Sequence, residues 1–341
     1  MQVNHLRGDT MKTRFLAVIA GLIFLTACGQ SIIDETPDPF FSQWMSFLSD
    51  ETAIRNIVIP GSHDAGSVTM PSAAETQNSY IRTQLLYGVR YFDIRVQKKA
   101  RGLVIFHGPV SGQPFADVLE SVKTFLEAHP SETVILDFQH FKGGSEADTF
   151  AAVSQTLGPN RFIVTIPDDM TPLEAADTLT LGECRGKALI FWGKDYETPE
   201  SDFLFPRNND DGSHDNCALE SYYVGELHRK SSEVFIRSAL PQYYGRFEKK
   251  NKGLFVLQCQ LTGKTLLSSI ARREQEHDAG ITAYIRGIAD DEQRLNLTNI
   301  IMRDFLTDDI RKVKTILELN LHKANLIPES SRPTFAAAVS H

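Results

Sequence analysis

The chain has 341 residues, of which 42% are hydrophobic and 23% charged, and its formal net charge is −8. This length and composition are typical of a soluble globular protein with one large domain or two ordinary ones, and they exclude extensive disorder. The acidic balance argues against nucleic acid as a partner.

The first 28 residues have the pattern of an export signal. Lys12 and Arg14 precede the apolar run FLAVIAGLIFL, which is too short to span a bilayer comfortably, and small residues follow it. The ending LTAC resembles the bacterial lipoprotein signal, in which the cysteine, here Cys28, becomes the lipidated first residue of the mature chain. We therefore expect an exported bacterial lipoprotein anchored to the outer membrane or cell surface through Cys28. Secretion after an ordinary signal is the alternative.

The rest of the chain is predicted to form one main body. We assign residues 1–28 to the lipoprotein-type signal segment, 29–44 to a short tether, 45–325 to a catalytic barrel and 326–341 to a flexible C-terminal tail. Beyond Cys28 the sequence has only Cys184, Cys217 and Cys259, widely spaced and without a CxxC pair. A zinc site built from them is therefore not expected, and one disulfide remains possible without an assignable pairing.

Seven apolar, β-branched runs bounded by glycine, proline or aspartate predict buried strands. In chain order they are RNIVIPG (55–61), VRYFDIRV (89–96), GLVIFHG (102–108), ETVILDFQ (132–139), GKALIFWG (186–193), GLFVLQCQ (253–260) and TNIIMRDFL (298–306). Helix-like segments lie between several of them, and in residues 114–130 the apolar positions share one helical face. Strands that alternate with helices indicate parallel strands joined by crossovers.

An eighth strand would allow these runs to close into a barrel. RFIVTI (161–166) and ALESYYV (218–224) are the two candidates for it, while the irregular stretch 198–228 indicates long loops. We therefore predict an α/β fold of the (β/α)8 TIM-like type, either fully or imperfectly closed.

Polar side chains stand where several of the predicted strands end. They are His63 and Asp64 after the first run, Asp93 and Arg95 in the second, His107 in the third and Asp304 in the last. Because all strands of a parallel barrel open their carboxyl ends on one face, these residues would converge on one site. Each residue alone has a structural explanation, such as a turn cap or a buried ion pair.

Together, these residue types indicate acid–base chemistry on a phosphate ester. One imidazole can accept a proton while the other donates one. A planar guanidinium can bind the phosphoryl oxygens as negative charge develops on them.

The segments that carry these residues resemble, in order and spacing, the bacterial phosphatidylinositol-specific phospholipase C (X-domain) family. They are IPGSHDAGS (59–67), QLLYGVRYFDIRV (84–96), VIFHGPV (104–110), HPSETVILDF (129–138) and IIMRDFL (300–306). The resemblance is dense over residues 45–140, thin through the middle and present again at 298–320. It implies a (β/α)8-type barrel that cleaves phosphatidylinositol into diacylglycerol and inositol 1,2-cyclic phosphate.

The resemblance also implies roles for the two histidines. His63 corresponds to the general base that activates the inositol 2-hydroxyl, and Asp304 would orient it and stabilise its charged form. His107 corresponds to the general acid that protonates the diacylglycerol oxygen, helped by Asp64.

Arg95 and Asp93 complete the implied site. Arg95 would stabilise the phosphorane-like transition state, and Asp93 would hold the cluster in place. Calcium-dependent eukaryotic relatives have a carboxylate at the position of Arg95, where it helps to hold the ion. A guanidinium would instead repel calcium and supply positive charge to the phosphate itself. We therefore expect no cofactor and no metal requirement.

The middle of the chain departs from the family pattern. The family has an arginine after the strand that corresponds to GKALIF, to contact the inositol, whereas this chain has Lys194 close to that position. Lys194 is the candidate substitute, and the segment ESYY supplies Glu220 and Tyr222 as further candidate inositol contacts. These three residues are the predicted substrate-binding residues.

Two other functions remain open. A metal-dependent glycerophosphodiester or sphingomyelin phosphodiesterase on the same fold would need carboxylate ligands near the first two strands, and Arg95 counts against it. A non-catalytic inositol-lipid binding lipoprotein would have little need for two proton-transfer groups. The leading hypothesis is a monomeric, metal-independent phosphatidylinositol diacylglycerol-lyase that acts on phosphatidylinositol-containing membranes.

Overall fold

The computed structural model describes residues 37–159, 161–209, 211–263 and 268–340. The strands are β1 (Ile59–Ser62), β2 (Tyr91–Lys99), β3 (Gly102–His107), β4 (Val110–Pro114), β5 (Thr133–Lys142), β6 (Lys187–Gly193), β7 (Leu204–Arg207), β8 (Leu219–Ser221), β9 (Leu254–Gln258) and β10 (Ile300–Arg303). The α-helices are α1 (Pro39–Ser42), α2 (Ile81–Leu86), α3 (Phe115–Ala128), α4 (Glu146–Leu157), α5 (Pro172–Thr178), α6 (Leu181–Cys184), α7 (Gly225–His228), α8 (Ser232–Lys250), α9 (Ile270–Gly287), α10 (Glu292–Leu297), α11 (Ile310–Glu318) and α12 (Arg332–Val339). Short 3-10 helices cover Trp44–Phe47, Ile54–Asn56, Ile288–Asp290 and Leu319–Leu321.

Eight parallel strands close into a barrel, which confirms the predicted fold class. Their order is β1, β10, β9, β8, β7, β6, β5 and β2, and β2 pairs with β1 again. Gly61 permits this closure, because a Cβ atom there would lie 2.9 Å from the ring of Tyr91. The thinnest junction joins β7 to β8, where only Arg207 and Leu219 are in register. The barrel strands read as continuous apolar runs because both of their faces are covered.

The run GLVIFHG is not a barrel strand, contrary to the prediction. It forms β3, which pairs antiparallel with the second half of β2, Val96 opposite Ile105, and then with β4. β2 is 9 residues long, so its far end extends past its contact with β1 and offers an edge to this hairpin. The hairpin nevertheless returns His107 to the carboxyl end of the barrel.

Two short strands in the region predicted as long loops complete the barrel. β8 comes from ALESYYV, whereas RFIVTI makes only isolated bridges, such as Ile163 with Ala188. β7 is a strand of 4 residues, LFPR, that was not among the predicted strands. A strand this short, with an internal proline, lacks the apolar run that identifies longer strands.

Both ends of the described chain contribute to the hydrophobic core, although they were predicted as a tether and a flexible tail. Residues 37–44, predicted as tether, bury Phe40 and Trp44, and the Trp44 indole N–H donates to the Gly88 carbonyl at 3.0 Å. The segment predicted as a flexible tail instead contains α12, whose buried Phe335 ring lies 5.3 Å from that of Phe40. Its apolar residues Phe335 and Val339, four positions apart, share one helix face and are buried together. The predicted signal segment and the start of the tether lie outside the described residues.

The described residues contain neither a disulfide nor a membrane-spanning helix. Cys184, Cys217 and Cys259 are all buried free thiols, so the disulfide that the sequence left open is not formed among them. No helix within the described ranges is long and apolar enough to cross a membrane.

Candidate active site

A cavity of about 630 Å³ opens at the carboxyl ends of the barrel strands. Its lining includes five of the six residues predicted as catalytic, namely His63, Asp64, Arg95, His107 and Asp304. The sixth, Asp93, lies directly behind Asp64, whose backbone N–H donates to Asp93 Oδ2 at 3.0 Å. The structure therefore brings together residues that are up to 241 positions apart in the sequence.

The strand pair β1 and β10 brings His63 and Asp304 together. These strands are in register up to Ser62 and Arg303, so the next residue on each one emerges at the same level. His63 Nδ1 lies 2.7 Å from Asp304 Oδ1, and both side chains are buried. Because the carboxylate can only accept, Nδ1–H is the donor, and Nε2 is left for the cavity.

Three carboxylates surround the imidazole of His63. Besides Asp304, Asp64 Oδ2 lies 3.3 Å and Asp93 Oδ2 4.0 Å from Nε2. Burial lowers the pKa of His63, but the negative charges of Asp64, Asp304 and Asp93 outweigh burial and raise that pKa to about 9. The resting imidazole is therefore protonated at neutral pH, and it becomes a strong base once that proton has left.

Asp64 stands between the two histidines and the arginine. Its Oδ1 lies 2.5 Å from Arg95 Nε, and its Oδ2 lies 3.5 Å from His107 Nε2. Burial raises the pKa of Asp64, but the charges of Arg95, His63 and His107 outweigh burial and lower it to about 2. Asp64 is therefore ionised, and its φ of 42° places it in the left-handed region that non-glycine residues seldom adopt.

His107 reaches the cavity from the β3–β4 hairpin. Its Nδ1 lies 2.7 Å from the carbonyl oxygen of Ala74, so Nδ1–H donates to that oxygen. A neutral imidazole carries one proton only, so Nε2 bears a proton only in the charged form. This geometry suits a residue that delivers an Nε2 proton to the cavity and becomes neutral.

His63, Asp64 and Asp93 also meet the minimum geometry of a metal site, since one ligand atom from each lies within 4.8 Å of the others. The guanidinium of Arg95 contacts both carboxylates of this set, at 2.5 Å from Asp64 and 3.5 Å from Asp93. A cation held there would face a fixed positive charge. The donor set therefore fits a divalent ion poorly.

The three predicted substrate-binding residues lie outside the lining of this cavity. Glu220 faces away from the barrel interior and pairs with Lys250 of α8 at 2.8 Å. The Tyr222 hydroxyl donates to Glu220 Oε2 at 3.0 Å, and Lys194 is exposed to solvent outside the cavity lining.

The alternation of side chains along a strand explains why Glu220 and Tyr222 lie outside the cavity. Ser221 points into the barrel, where its Oγ accepts a hydrogen bond from Gln258 Nε2 at 2.6 Å. Residues of the opposite parity, Glu220 and Tyr222, therefore point outward. Tyr223 lines the cavity instead, one position along from the predicted tyrosine.

Several cavity residues were missed in the sequence. They include Gln139, His140, Arg229 and Gln258. Gln139 and Gln258 lie at or near the ends of the apolar runs of β5 and β9, so the rule that identified Asp93 and Asp304 would have found them. Arg229 follows the short helix α7 and has no comparable sequence signal.

A buried polar network lies beneath the cavity. Arg207 Nε lies 3.1 Å from Asp137 Oδ1, and the Tyr91 hydroxyl donates to Asp137 Oδ2 at 2.6 Å. Burial raises the pKa of Asp137 to about 6, although Arg207 opposes this shift. Gln139 Nε2 donates to the same carboxylate at 3.1 Å and joins the network to the cavity wall.

Comparison with known proteins agrees with this geometry. Residues 53–194 match the model of the phosphatidylinositol-specific phospholipase C X domain. The 1-phosphatidylinositol phosphodiesterase of Staphylococcus aureus is 32% identical over 139 residues, which are 38% of this chain and 41% of the relative. The Listeria monocytogenes enzyme of the same name is 31% identical over 156 residues, 43% of this chain and 47% of the relative. These matches thus span less than half of each curated relative.

The solved structures extend the likeness of fold beyond the matched segment. The phosphatidylinositol-specific phospholipase C from Listeria monocytogenes superposes with a TM-score of 0.62 and 24% identity, and covers 82% of this chain and 98% of that chain. At this level of identity the similarity establishes the fold. The barrel agrees with the fold that the sequence motifs indicate. Over residues 53–194 the chain is therefore similar to the X domain of the phosphatidylinositol-specific phospholipase C family, and beyond that segment it shares the fold of the bacterial enzyme.

Proposed function

We propose that this chain is a phosphatidylinositol phosphodiesterase of the phospholipase C type that works without a metal. The observation that carries the proposal is the arrangement of the His63–Asp304 pair, His107 and Arg95 around Asp64 in one cavity. The X-domain match and the names of the bacterial relatives support phosphatidylinositol as the substrate.

In this proposal the two histidines move the protons. Neutral His63 takes the proton of the inositol 2-hydroxyl through Nε2, and Asp304 stabilises the imidazolium that forms. The inositol oxygen bonds to phosphorus while the bond from phosphorus to the diacylglycerol oxygen breaks. His107 donates its Nε2 proton to that leaving oxygen, so the products are diacylglycerol and inositol 1,2-cyclic phosphate.

Arg95 takes the electrostatic role in this proposal. Its contacts with Asp64 and Asp93 fix the guanidinium at the cavity wall, where it can bind phosphoryl oxygens as their charge grows. The same charge disfavours a calcium ion, and this supports metal independence. The metal-dependent phosphodiesterase remains the second candidate, because His63, Asp64 and Asp93 do cluster closely.

Phosphorus NMR tests the proposal directly. Purified residues 29–341 are incubated with phosphatidylinositol vesicles and excess chelator, beside the variants His63→Ala and His107→Ala. A cyclic phosphodiester signal from the wild type alone supports the reaction and both histidine roles. Turnover that disappears with chelator and returns with calcium would support the metal-dependent phosphodiesterase instead. Binding to vesicles without any product would support a non-catalytic binding module.

We further propose that the enzyme is a monomer tethered to its membrane through a lipidated Cys28. This residue lies outside the described part of the chain, and the proposal depends on the LTAC sequence. A Cys28→Ala variant should move from the membrane fraction to the soluble fraction. Light scattering on the purified domain measures its mass in solution and so tests whether it is a monomer.

A further inference from the structure

Gln77 is a fully buried glutamine that bridges the two segments, directly after β1 and β10, that carry His63 and Asp304. Its Nε2 donates to the carbonyl oxygen of His63 at 3.1 Å and to the carbonyl oxygen of Arg303 at 3.0 Å. Its Oε1 accepts the backbone N–H of Leu306 at 3.3 Å. One side chain thus holds the chain at His63 and on both sides of Asp304.

This bridge begins where the sheet ladder stops. The last residues in register are Ser62 and Arg303, and one more backbone bond, from the His63 N–H to the Arg303 carbonyl at 3.2 Å, joins the two chains there. Asp64 and Phe305, one on each departing chain, have φ values of 42° and 46°. Non-glycine residues in this region need outside contacts to stay there. The ladder cannot supply these contacts, so another element must.

The segment of Gln77 also holds these two turns through its neighbour. Thr76 Oγ1 lies 3.0 Å from the carbonyl oxygen of His63 and within hydrogen-bond distance, 3.2 Å, of that of Asp64. The Phe305 N–H donates to the Thr76 carbonyl at 2.7 Å. Both turns that leave the strands are therefore tied to residues 76 and 77.

We propose that Gln77 is a positioning residue that sets the 2.7 Å hydrogen bond between His63 and Asp304. Without its bridge, the carbonyl oxygens of His63 and Arg303 lose their common donor. The direct bond from the His63 N–H to the Arg303 carbonyl, at 3.2 Å, and the contact of Thr76 with His63 are then left to hold the two turns, so the imidazole is less firmly oriented. A misplacement of about 1 Å in a reacting group can cost about 100-fold in rate. The kinetic consequence rests on the proposed function, whereas the geometric one does not.

A matched control exists at the opposite end of the same strands. Asn299, which directly precedes β10, is buried, and its Nδ2 donates to the carbonyl oxygens of Ile54 and Ile57 at 3.0 and 2.7 Å. Gln77→Met and Asn299→Leu each remove two buried hydrogen bonds from an amide to carbonyl groups while roughly keeping side-chain volume, and Gln77→Met also removes the acceptor of the Leu306 N–H. Only the first change acts at the site.

The experiment combines steady-state kinetics with proton NMR of the free protein. The downfield resonance of the His63 Nδ1–H, assigned by its absence from His63→Ala, reports the bond to Asp304. We expect Gln77→Met to shift and broaden this resonance and to lower kcat about 10- to 100-fold, with a much smaller change in KM. Asn299→Leu should lower the melting temperature but leave the resonance and kcat unchanged.

Two further results keep the test decisive. If Gln77→Met does not fold, Gln77→Glu takes its place, because it keeps the Oε1 acceptor but loses at least one bridging donor. A Gln77 variant with the wild-type resonance, and with a kcat no lower than that of Asn299→Leu, overturns the proposal. If no form turns over phosphatidylinositol, the proposed function fails, and the resonance alone decides the role of Gln77.

Discussion

Replacing Asp304 by asparagine removes the buried charge that faces His63 and keeps the shape of the side chain. The wild-type contact is 2.7 Å long and joins a carboxylate to a ring that must become charged in the reaction. Hydrogen bonds to charged groups contribute about 1.5–3 kcal/mol. Loss of one such bond in the transition state corresponds to a rate about 10- to 150-fold lower.

The loss should depend on pH in a defined direction. Burial lowers the pKa of His63, but its carboxylate neighbours raise it to about 9, so only about 1% of the wild-type base is neutral at pH 7. The neutral fraction of His63 should therefore rise with pH up to about 9, and the rate should rise with it while His107 keeps its proton. Removing the charge of Asp304 lowers the pKa of His63, so the variant has more neutral base at pH 7. The deficit of the variant should be smallest at low pH and largest above pH 9.

The assay is kcat/KM on phosphatidylinositol vesicles from pH 6 to 10, compared with the wild type at each pH. Asp308→Asn is a suitable control, since it changes a carboxylate in the same loop outside the cavity lining. Thermal unfolding of both variants separates instability from lost catalysis. An Asp304→Asn deficit of the same size at every pH would refute the reasoning, because it would mean that Asp304 does not control the protonation of His63.

Three other changes test separate parts of the site. His107→Ala should lower kcat about 10²–10⁴-fold on phosphatidylinositol. The loss should be far smaller on an analogue with a nitrophenolate leaving group, because that group leaves without a proton. Equal losses on both substrates would exclude the role of His107 as general acid. Arg207→Met should lower the free energy of unfolding by about 3 kcal/mol in urea titrations, because it leaves the buried Asp137 carboxylate without its cation, and adding Asp137→Asn should restore part of that loss. Glu220→Gln should leave kcat/KM unchanged while Tyr223→Ala raises KM, and the reverse result would contradict the outward orientation of Glu220.

The sequence was informative wherever a long apolar run ends in a charged side chain. Parallel barrel strands are buried on both sides, so a charged side chain is expected only where a strand ends. Because the carboxyl ends of all the strands open on one face of the barrel, Asp93 and Asp304 could be placed together on that face. His107 was assigned to the correct face for the wrong reason, since its strand runs antiparallel. A continuous apolar run marks burial, but it does not reveal strand direction.

The short strands β7 and β8 show where prediction from apolar runs fails. With only 4 and 3 residues, they carry too few alternations to fix which side chains face inward. Tyr223, which lines the cavity, is one position along from the predicted Tyr222, and a difference of one residue reverses the direction of a strand side chain. The role of Gln77 was inaccessible for another reason, since its contacts depend on two distant backbone carbonyls and not on its own sequence neighbours.

The charge balance of the site explains why its resting and reacting states differ. Three buried aspartates face Arg95 and the protonated ring of His63. Once His63 loses its proton, the three aspartates face Arg95 alone, and a proton on His107 reduces the excess of negative charge that a phosphodiester meets. Binding of the anionic substrate and the charge on the acid are therefore linked. The high pKa of His63 makes its neutral form scarce at pH 7, but the same basicity increases the driving force for removing the hydroxyl proton. The ratio of kcat between the wild type and Asp304→Asn, in which His63 is less basic, separates the two effects when it is measured both at pH 7 and above pH 9.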